Sequence, residues 1–146
     1  MKTYLAAAAL AAALSQPAAA VTFPTLTTIY VGSDVTDNGG ATNVGIATTF
    51  LCSNVSGVTA IVRLLVLGAG GAIDGEHSFT SVEHGNTVVA STHFTASFDE
   101  SSMATGGISH GVSNIESTQS AVFCTAAIVG AAGEPPTFPC RSISSA

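Results

Sequence analysis

The sequence has few cations and no tryptophan. Three of its 146 residues are lysine or arginine and nine are aspartate or glutamate, so the formal net charge is −6. Binding to nucleic acid or to an anionic membrane surface needs clustered basic side chains, and this shortage argues against both. The absence of tryptophan removes the usual core marker of immunoglobulin domains. The remaining composition, rich in threonine, serine, glycine, alanine and valine, favours strands and turns.

Long apolar runs are confined to the first twenty residues. Residues 1–20 carry one early cation, Lys2, then an apolar stretch over 5–14, and end in three alanines. This order predicts a bacterial secretory signal peptide cleaved after Ala20, and hence a secreted or periplasmic protein. The stretch is too short to span a bilayer, so we expect no stable membrane insertion after cleavage. Loss of Lys2 moves the formal net charge from −6 to −7.

Export would place three cysteines in an oxidising compartment, where two of them should pair. Cys52 and Cys124 each lie in a strand-like run, whereas Cys140 lies in a proline-rich segment. We therefore expect a Cys52–Cys124 disulfide that ties two sheets face to face, as the bridge of immunoglobulin-like domains does. Cys140 is then a free thiol, an intermolecular disulfide, or a rival partner for either other cysteine, and the sequence leaves these alternatives open.

No helical periodicity of useful length follows residue 20, and strand signals recur instead, separated by turn residues. They predict an all-β fold, an antiparallel β-sandwich of immunoglobulin-like architecture with about seven strands, over residues 21–132. The three prolines after residue 134 predict that residues 133–146 form a flexible tail. The predicted strands are residues 26–32, 45–52, 60–67, 73–82, 87–98, 112–116 and 121–129.

Metal binding has one weak candidate motif in the predicted loop 34–43. Asp34, Thr36 and Asn38 precede Gly39 with the spacing of a calcium loop, but Gly45 stands where the bidentate glutamate belongs. A plain Asx-type turn explains the same residues. The four histidines, at 77, 84, 93 and 110, lack the short spacing of a zinc site. We therefore expect no cofactor, and a small metal-binding domain is kept as an alternative.

Catalytic motifs are equally sparse. The chain has no G-x-S-x-G nucleophile elbow and no phosphate-binding loop. A hydrolase would need a site assembled from residues distant in sequence, with Asp99, Glu100 or His93 as acid–base candidates. His93 follows a strand-like alternation with Val89 and Ser91, which predicts a solvent-facing or partner-facing surface. His93 is therefore the candidate surface site, and no catalytic residue is assigned.

Several runs together resemble a group of small, uncharacterised exported proteins of proteobacteria. The resemblance covers residues 25–132 and implies no activity. It implies that Cys52 and Cys124 are fixtures of the group's scaffold, and it places His93 in a recurrent stretch. The matching runs are residues 29–33 (IYVGS), 37–41 (DNGGA), 47–54 (ATTFLCSN), 90–93 (ASTH), 114–120 (NIESTQS) and 123–126 (FCTA).

The chain departs from this group at two places. Asp34 stands where the group tends to have glycine, although aspartate tolerates a positive φ better than most residues. After Ala132 the relatives continue with another apolar strand, whereas this chain has residues 134–146 with the extra Cys140. Loss of an edge strand would expose a sheet edge to β-augmentation or to self-association.

Taken together, these patterns predict an exported, non-enzymatic β-sandwich protein. Its expected role is binding or structural, in the periplasm or the extracellular space, with an unidentified protein or glycan as partner. The alternatives are a secreted hydrolase built from loop carboxylates and His93, and the small metal-binding domain.

Overall fold

A computed structural model describes residues 24–133 and 141–142, and all of their regular structure is β-strand. The predicted all-β sandwich is confirmed, with seven longer strands and two of two residues each. The predicted signal peptide lies outside the described residues. The strands are β1 (Thr27–Asn38), β2 (Ile46–Asn54), β3 (Ala60–Leu67), β4 (Ile73–Val82), β5 (Thr87–Ser91), β6 (Ser101–Ser102), β7 (Gly107–Ser117), β8 (Val122–Gly130) and β9 (Arg141–Ser142).

The strands form two sheets. One has four strands in the order β1-β7-β3-β4, and the other has five in the order β6-β5-β2-β8-β9. Neighbouring strands are antiparallel except for β5 and β6, which pair in parallel. The immunoglobulin-like character of the sandwich stays a prediction.

The core lies between the sheets and follows from alternation along the strands. In β3, Val62, Leu64 and Val66 are buried on the inner face, and in β2 Phe50 and Cys52 face them from the other sheet. Because successive side chains of a strand point to opposite faces, each strand supplies every second residue to this layer. Full burial of each large apolar side chain stabilises the fold by about 1.5–3 kcal/mol.

The first strand is longer than predicted. The sequence indicated a strand over 26–32 and a loop from Asp34, but β1 continues to Asn38. Asp34 has a φ of 63°, and the pairing of β1 with β7 shifts register between Gly32 and Val35. The chain therefore passes an irregularity, a β-bulge, and resumes pairing, which buries Val35 and Asp37.

The predicted strand 87–98 was too long. β5 ends at Ser91, and residues 92–100, here called the strap, leave the sheet edge and cross the outer face of the five-stranded sheet. Phe98 packs on a small apolar cluster of Ala47, Ala127 and Val129 from β2 and β8. The strap therefore covers part of a sheet face that the alternation alone would leave in solvent.

The Cys52–Cys124 disulfide is confirmed, but its predicted position between two sheets was wrong. Cys52 on β2 and Cys124 on β8 are directly opposed in neighbouring strands of the same sheet, with Cα atoms 4.1 Å apart. Directly opposed residues on one face of an antiparallel pair lie close enough for this link. The bridge therefore reinforces one sheet, and both cysteines are buried on its inner face.

The C-terminal segment is described only in part. Arg141 and Ser142 form β9, which pairs with Ala126 and Thr125 of β8. Residues 134–140 and 143–146 of the predicted tail, Cys140 included, lie outside the described residues. The outer edge of β8 is thus paired over these two residues.

Candidate functional site

A recess of about 340 Å³ opens at one end of the sandwich. It lies where β1 ends, where the strap begins, and where the chain runs from β6 to β7. Three separate segments therefore meet there, two of them loops rich in glycine. Its lining is Asp37, Gly39, Gly40, Thr42, His93, Phe94, Ser102, Ala104 and Gly106.

The floor of the recess is a buried acid–imidazole pair. His93 Nδ1 lies 2.8 Å from Asp37 Oδ2, the Asp37 side chain is fully buried, and that of His93 is 10% exposed. The prediction of a surface position for His93 was therefore wrong. The prediction failed because β5 ends early. His93 lies two residues beyond the strand and turns inward.

The Asp37 carboxylate is held by two further donors. The backbone N–H of Gly39 donates to Oδ1 at 2.7 Å, and the Thr105 hydroxyl donates to Oδ2 at 3.2 Å. A buried carboxylate is stable only when its oxygens are hydrogen-bonded and its charge is compensated. These contacts, with His93, meet that requirement from three segments of the chain.

The second ring nitrogen of His93 is also engaged. Nε2 lies 3.1 Å from the backbone carbonyl oxygen of Val44. Carboxylate and carbonyl oxygens only accept hydrogen bonds, so a ring protonated on both nitrogens satisfies both contacts and a neutral ring satisfies one. In this arrangement both ring nitrogens face acceptor oxygens of the protein itself. His93 therefore ties the loop 39–45 to the end of β1.

The loop that His93 holds has an unusual backbone. Gly39, Asn43 and Gly45 all have positive φ, at 69°, 61° and 88°. Across the recess, Ala104 and Gly106 do as well, at 52° and 71°. Non-glycine residues in this region cost about 1–3 kcal/mol each and concentrate at binding and active sites. Both walls of the recess are thus built from constrained turns.

Replacement of Gly45 tests how closely this loop is packed. A Cβ at Gly45 would overlap the side-chain amide of Asn38, which accepts the Ile46 N–H at 3.1 Å through Oδ1. We expect Gly45→Ala to lower the free energy of unfolding by about 2 kcal/mol or more, from backbone strain and loss of this bond. Urea denaturation of the purified protein measures the effect.

Gly85→Ala is the matched control for that measurement. Gly85 has nearly the same φ, 87°, and a Cβ there would meet nothing within 4 Å. It should therefore show the backbone cost alone, about 1 kcal/mol. Equal losses for the two variants would contradict the close packing of Gly45 on Asn38.

The mouth of the recess is apolar and uncharged. Phe94 is 46% exposed, and Val44 and Ile46 are exposed beside the same loop. The backbone N–H of Asn43 donates to the Phe94 carbonyl at 2.9 Å, which keeps the loop and the strap in contact. Among the described residues, the lining contains no lysine or arginine. The site therefore offers an aromatic face, hydroxyls and backbone groups to a ligand.

The calcium candidates do not come together as a loop. Asp34, Thr36 and Asn38 all belong to β1, where Asn38 accepts the Ile46 N–H and the Thr36 hydroxyl donates to the Asp34 carbonyl at 3.3 Å. In residues 24–133 and 141–142, no group of three histidine, cysteine, aspartate or glutamate side chains is placed to hold a metal ion. The extension of β1 is the reason, because a strand spreads its side chains apart.

The predicted acid–base set of a hydrolase is also separated. Asp99 is exposed, whereas Glu100 lies at the end of the strap and accepts hydrogen bonds from the Ser91 hydroxyl and the Thr95 backbone N–H. The imidazole of His93 pairs with Asp37, a residue that the sequence analysis assigned to a turn. Glu100 thus fastens the strap to β5.

Asp37 is the residue that sequence reasoning missed. The run Asp-Asn-Gly-Gly at 37–40 has the composition of a solvated turn, and nothing within that run indicates burial. The signal that could have revealed its burial is Val35. Val35 and Asp37 are two residues apart and would share one face of a strand that continued past the irregularity at Asp34.

Comparison with known proteins adds no functional assignment. No protein-family model matches the chain, and no curated protein or solved structure shows significant similarity to it. None of the described residues belongs to a helix with the length and hydropathy of a membrane span.

Proposed function

We infer that this chain is an exported, non-enzymatic binding protein that holds a neutral, hydroxyl-rich ligand, a glycan, in the recess beside His93. Its location, periplasmic or extracellular, rests on the signal-like residues 1–20 and agrees with the disulfide between Cys52 and Cys124. If the glycan belongs to the cell surface, the same binding would give the protein a structural role in the envelope.

The engagement of both nitrogens of His93 carries the proposal. Asp37 and His93, the titratable residues of the recess, form hydrogen bonds within its walls. A ligand therefore meets the Thr42 and Ser102 hydroxyls, backbone groups and the ring of Phe94. A sugar ring presents hydroxyls at its rim and C–H groups on its face, and this combination suits polar groups beside an aromatic ring. A lining without lysine or arginine favours a neutral ligand over a phosphate or carboxylate.

The hydrolase alternative has one observation in its favour. Asp37, His93 and Ser102 all line the recess, and these are the residue types of a hydrolytic triad. The hydroxyl of Ser102, however, accepts the Ala104 N–H at 3.1 Å, and His93 Nε2 faces the Val44 carbonyl. Proton transfer from Ser102 would require the imidazole to leave that carbonyl, so binding without turnover is the favoured reading.

Phe94→Ala is the variant that tests this site. We expect a panel of neutral oligosaccharides, screened by saturation-transfer NMR and titrated by calorimetry, to include a binder whose affinity falls about tenfold or more in Phe94→Ala. Phe123→Ala is the matched control, because Phe123 is 61% exposed on β8, far along the strand from the recess end of the sheet. It should bind as the unaltered protein does.

Two results would count against the proposal. Absence of any binder in the panel would remove the support for the proposal. Equal weakening of binding by the two phenylalanine variants would indicate that the ligand does not bind in the recess. Release of reducing sugar ends during incubation, lost in His93→Ala, would favour the hydrolase alternative.

A further inference from the structure

The open edge of β4 differs from the other sheet edges in the described part of the chain. The five-stranded sheet ends in β6 and β9, which have two residues each. β1 forms one edge of the four-stranded sheet, but its pairing with β7 is interrupted by three register shifts. β4 forms the other edge, is ten residues long, and pairs regularly with β3 from Gly75 to Phe79, with a register shift beyond each end of that stretch.

A regular edge strand is a template for a further strand. In an antiparallel ladder, a strand with one neighbour directs every second pair of backbone N–H and C=O groups outward. Irregularities such as those in β1 disrupt this template, whereas residues 75–79 keep it. An extended peptide can therefore pair with β4 through its main chain, and side chains then decide which peptide is accepted.

The inner face of this edge is apolar and incompletely covered. His77 and Phe79 point toward the core, where their rings meet edge to face with centroids 4.6 Å apart. Phe79 packs against the core cluster, yet both residues are only half-buried because, in residues 24–133 and 141–142, no strand lies beyond β4. A strand added there would cover them with apolar side chains on its own inner face.

The outer face of the same edge is acidic. Glu76 and Asp74 are exposed there, with Ser78 beside Glu76 on the same face. Arg63 on the neighbouring strand contacts Glu116 through two guanidinium nitrogens, and Glu76 lies 3.8 Å away from its third. The single guanidinium is therefore shared, and the negative charge of Glu76 is incompletely compensated.

From these two faces we propose that the β4 edge binds an extended segment of a partner protein in which apolar and basic residues alternate. The apolar residues would cover His77 and Phe79, and the basic residues would face Glu76 and Asp74. A second copy of this chain is a poor occupant. Two β4 strands paired edge to edge would bring their own carboxylates together, and the chain carries a formal net charge of −6.

A synthetic peptide of alternating lysine and valine, titrated into the exported protein, tests the proposal. In ¹H–¹⁵N NMR spectra we expect the amides of residues 75–79 to shift and to gain protection from hydrogen exchange. A peptide of alternating glutamate and valine has the same apolar residues and should bind at least about tenfold more weakly. Raised salt should weaken the lysine peptide.

Charge-reversed variants test whether the peptide binds at this edge. Glu76→Lys should reduce affinity for the lysine peptide about tenfold or more. Glu83→Lys makes the same change of net charge at an exposed residue just beyond β4 and should have a much smaller effect. Phe94→Ala should leave this binding unchanged, so the result is independent of the recess.

Three outcomes would overturn the proposal. The first is equal weakening by Glu76→Lys and Glu83→Lys, which indicates a general charge effect. The second is the absence of changes at residues 75–79 on addition of the lysine peptide. The third is a dimer in light scattering without peptide that Glu76→Lys alters, because the edge would then be occupied by a second copy.

Discussion

Removal of the Cys52–Cys124 bridge is expected to lower the free energy of unfolding by about 4 kcal/mol and the melting temperature by about 15 °C. The two cysteines are 72 residues apart, and a cross-link over this distance removes much conformational freedom from the unfolded chain. Alanine at both positions also loses contacts in the core, where both side chains are buried. Both effects act in the same direction.

The experiment uses the double variant Cys52→Ala, Cys124→Ala in a Cys140→Ser background. Cys140→Ser alone is the control, and it should retain the stability of the unaltered protein. Urea and thermal denaturation give the two quantities, and a non-reducing intact mass checks the bridge and whether the chain begins at Val21. A double variant with the control's midpoint and slope would contradict a stabilising role for the bridge.

Replacement of Asp37 should have a comparably large effect on stability, a loss of about 3–5 kcal/mol for Asp37→Ala. The substitution leaves His93 buried without its charged partner and leaves the Gly39 N–H without its acceptor. A buried donor that loses its partner costs its full desolvation free energy. The loop between β1 and β2 should also lose its attachment to the end of β1.

The control for this measurement is Asp99→Ala. Asp99 is exposed in the strap, so its loss should change the free energy of unfolding by no more than about 0.5 kcal/mol. Urea denaturation gives the stabilities, and NMR spectra report whether residues 39–45 change environment. If Asp37→Ala were as stable as Asp99→Ala, the buried pair would not be an organising contact of the recess.

Local pattern was enough to predict the strands that are bounded by turn residues. β3 and β4 have the predicted bounds, and the predicted β2 and β8 differ from the structure by one or two residues at their ends. The pairing of Cys52 with Cys124 was also predictable, because both cysteines lie in apolar strands that an oxidising compartment would link. The bounds of these strands depend on neighbouring residues along the chain. The pairing of the two cysteines depends on redox chemistry, which does not require the strand register to be known.

Features that depend on contacts between residues far apart in the sequence could not be predicted. Asp37 and His93 are 56 residues apart, and neither local context signals that they meet. The length of β1 depends on a positive φ at Asp34, which lets the strand resume instead of turning. Whether two paired cysteines lie in one sheet or in two depends on strand order, which spacing along the chain does not determine.

The position of the disulfide within one sheet has a mechanical consequence. In the described part of the chain, no disulfide joins the two layers, which are held by side-chain packing, by hydrogen bonds such as those between Thr36 and Thr48, and by the backbone where it passes from one sheet to the other. Load that shears β2 against β8 would be carried by a sulfur–sulfur bond. Load that draws the layers apart would be resisted first by packing and hydrogen bonds, and by the backbone only once the connecting loops are extended, so the domain should part between its layers first.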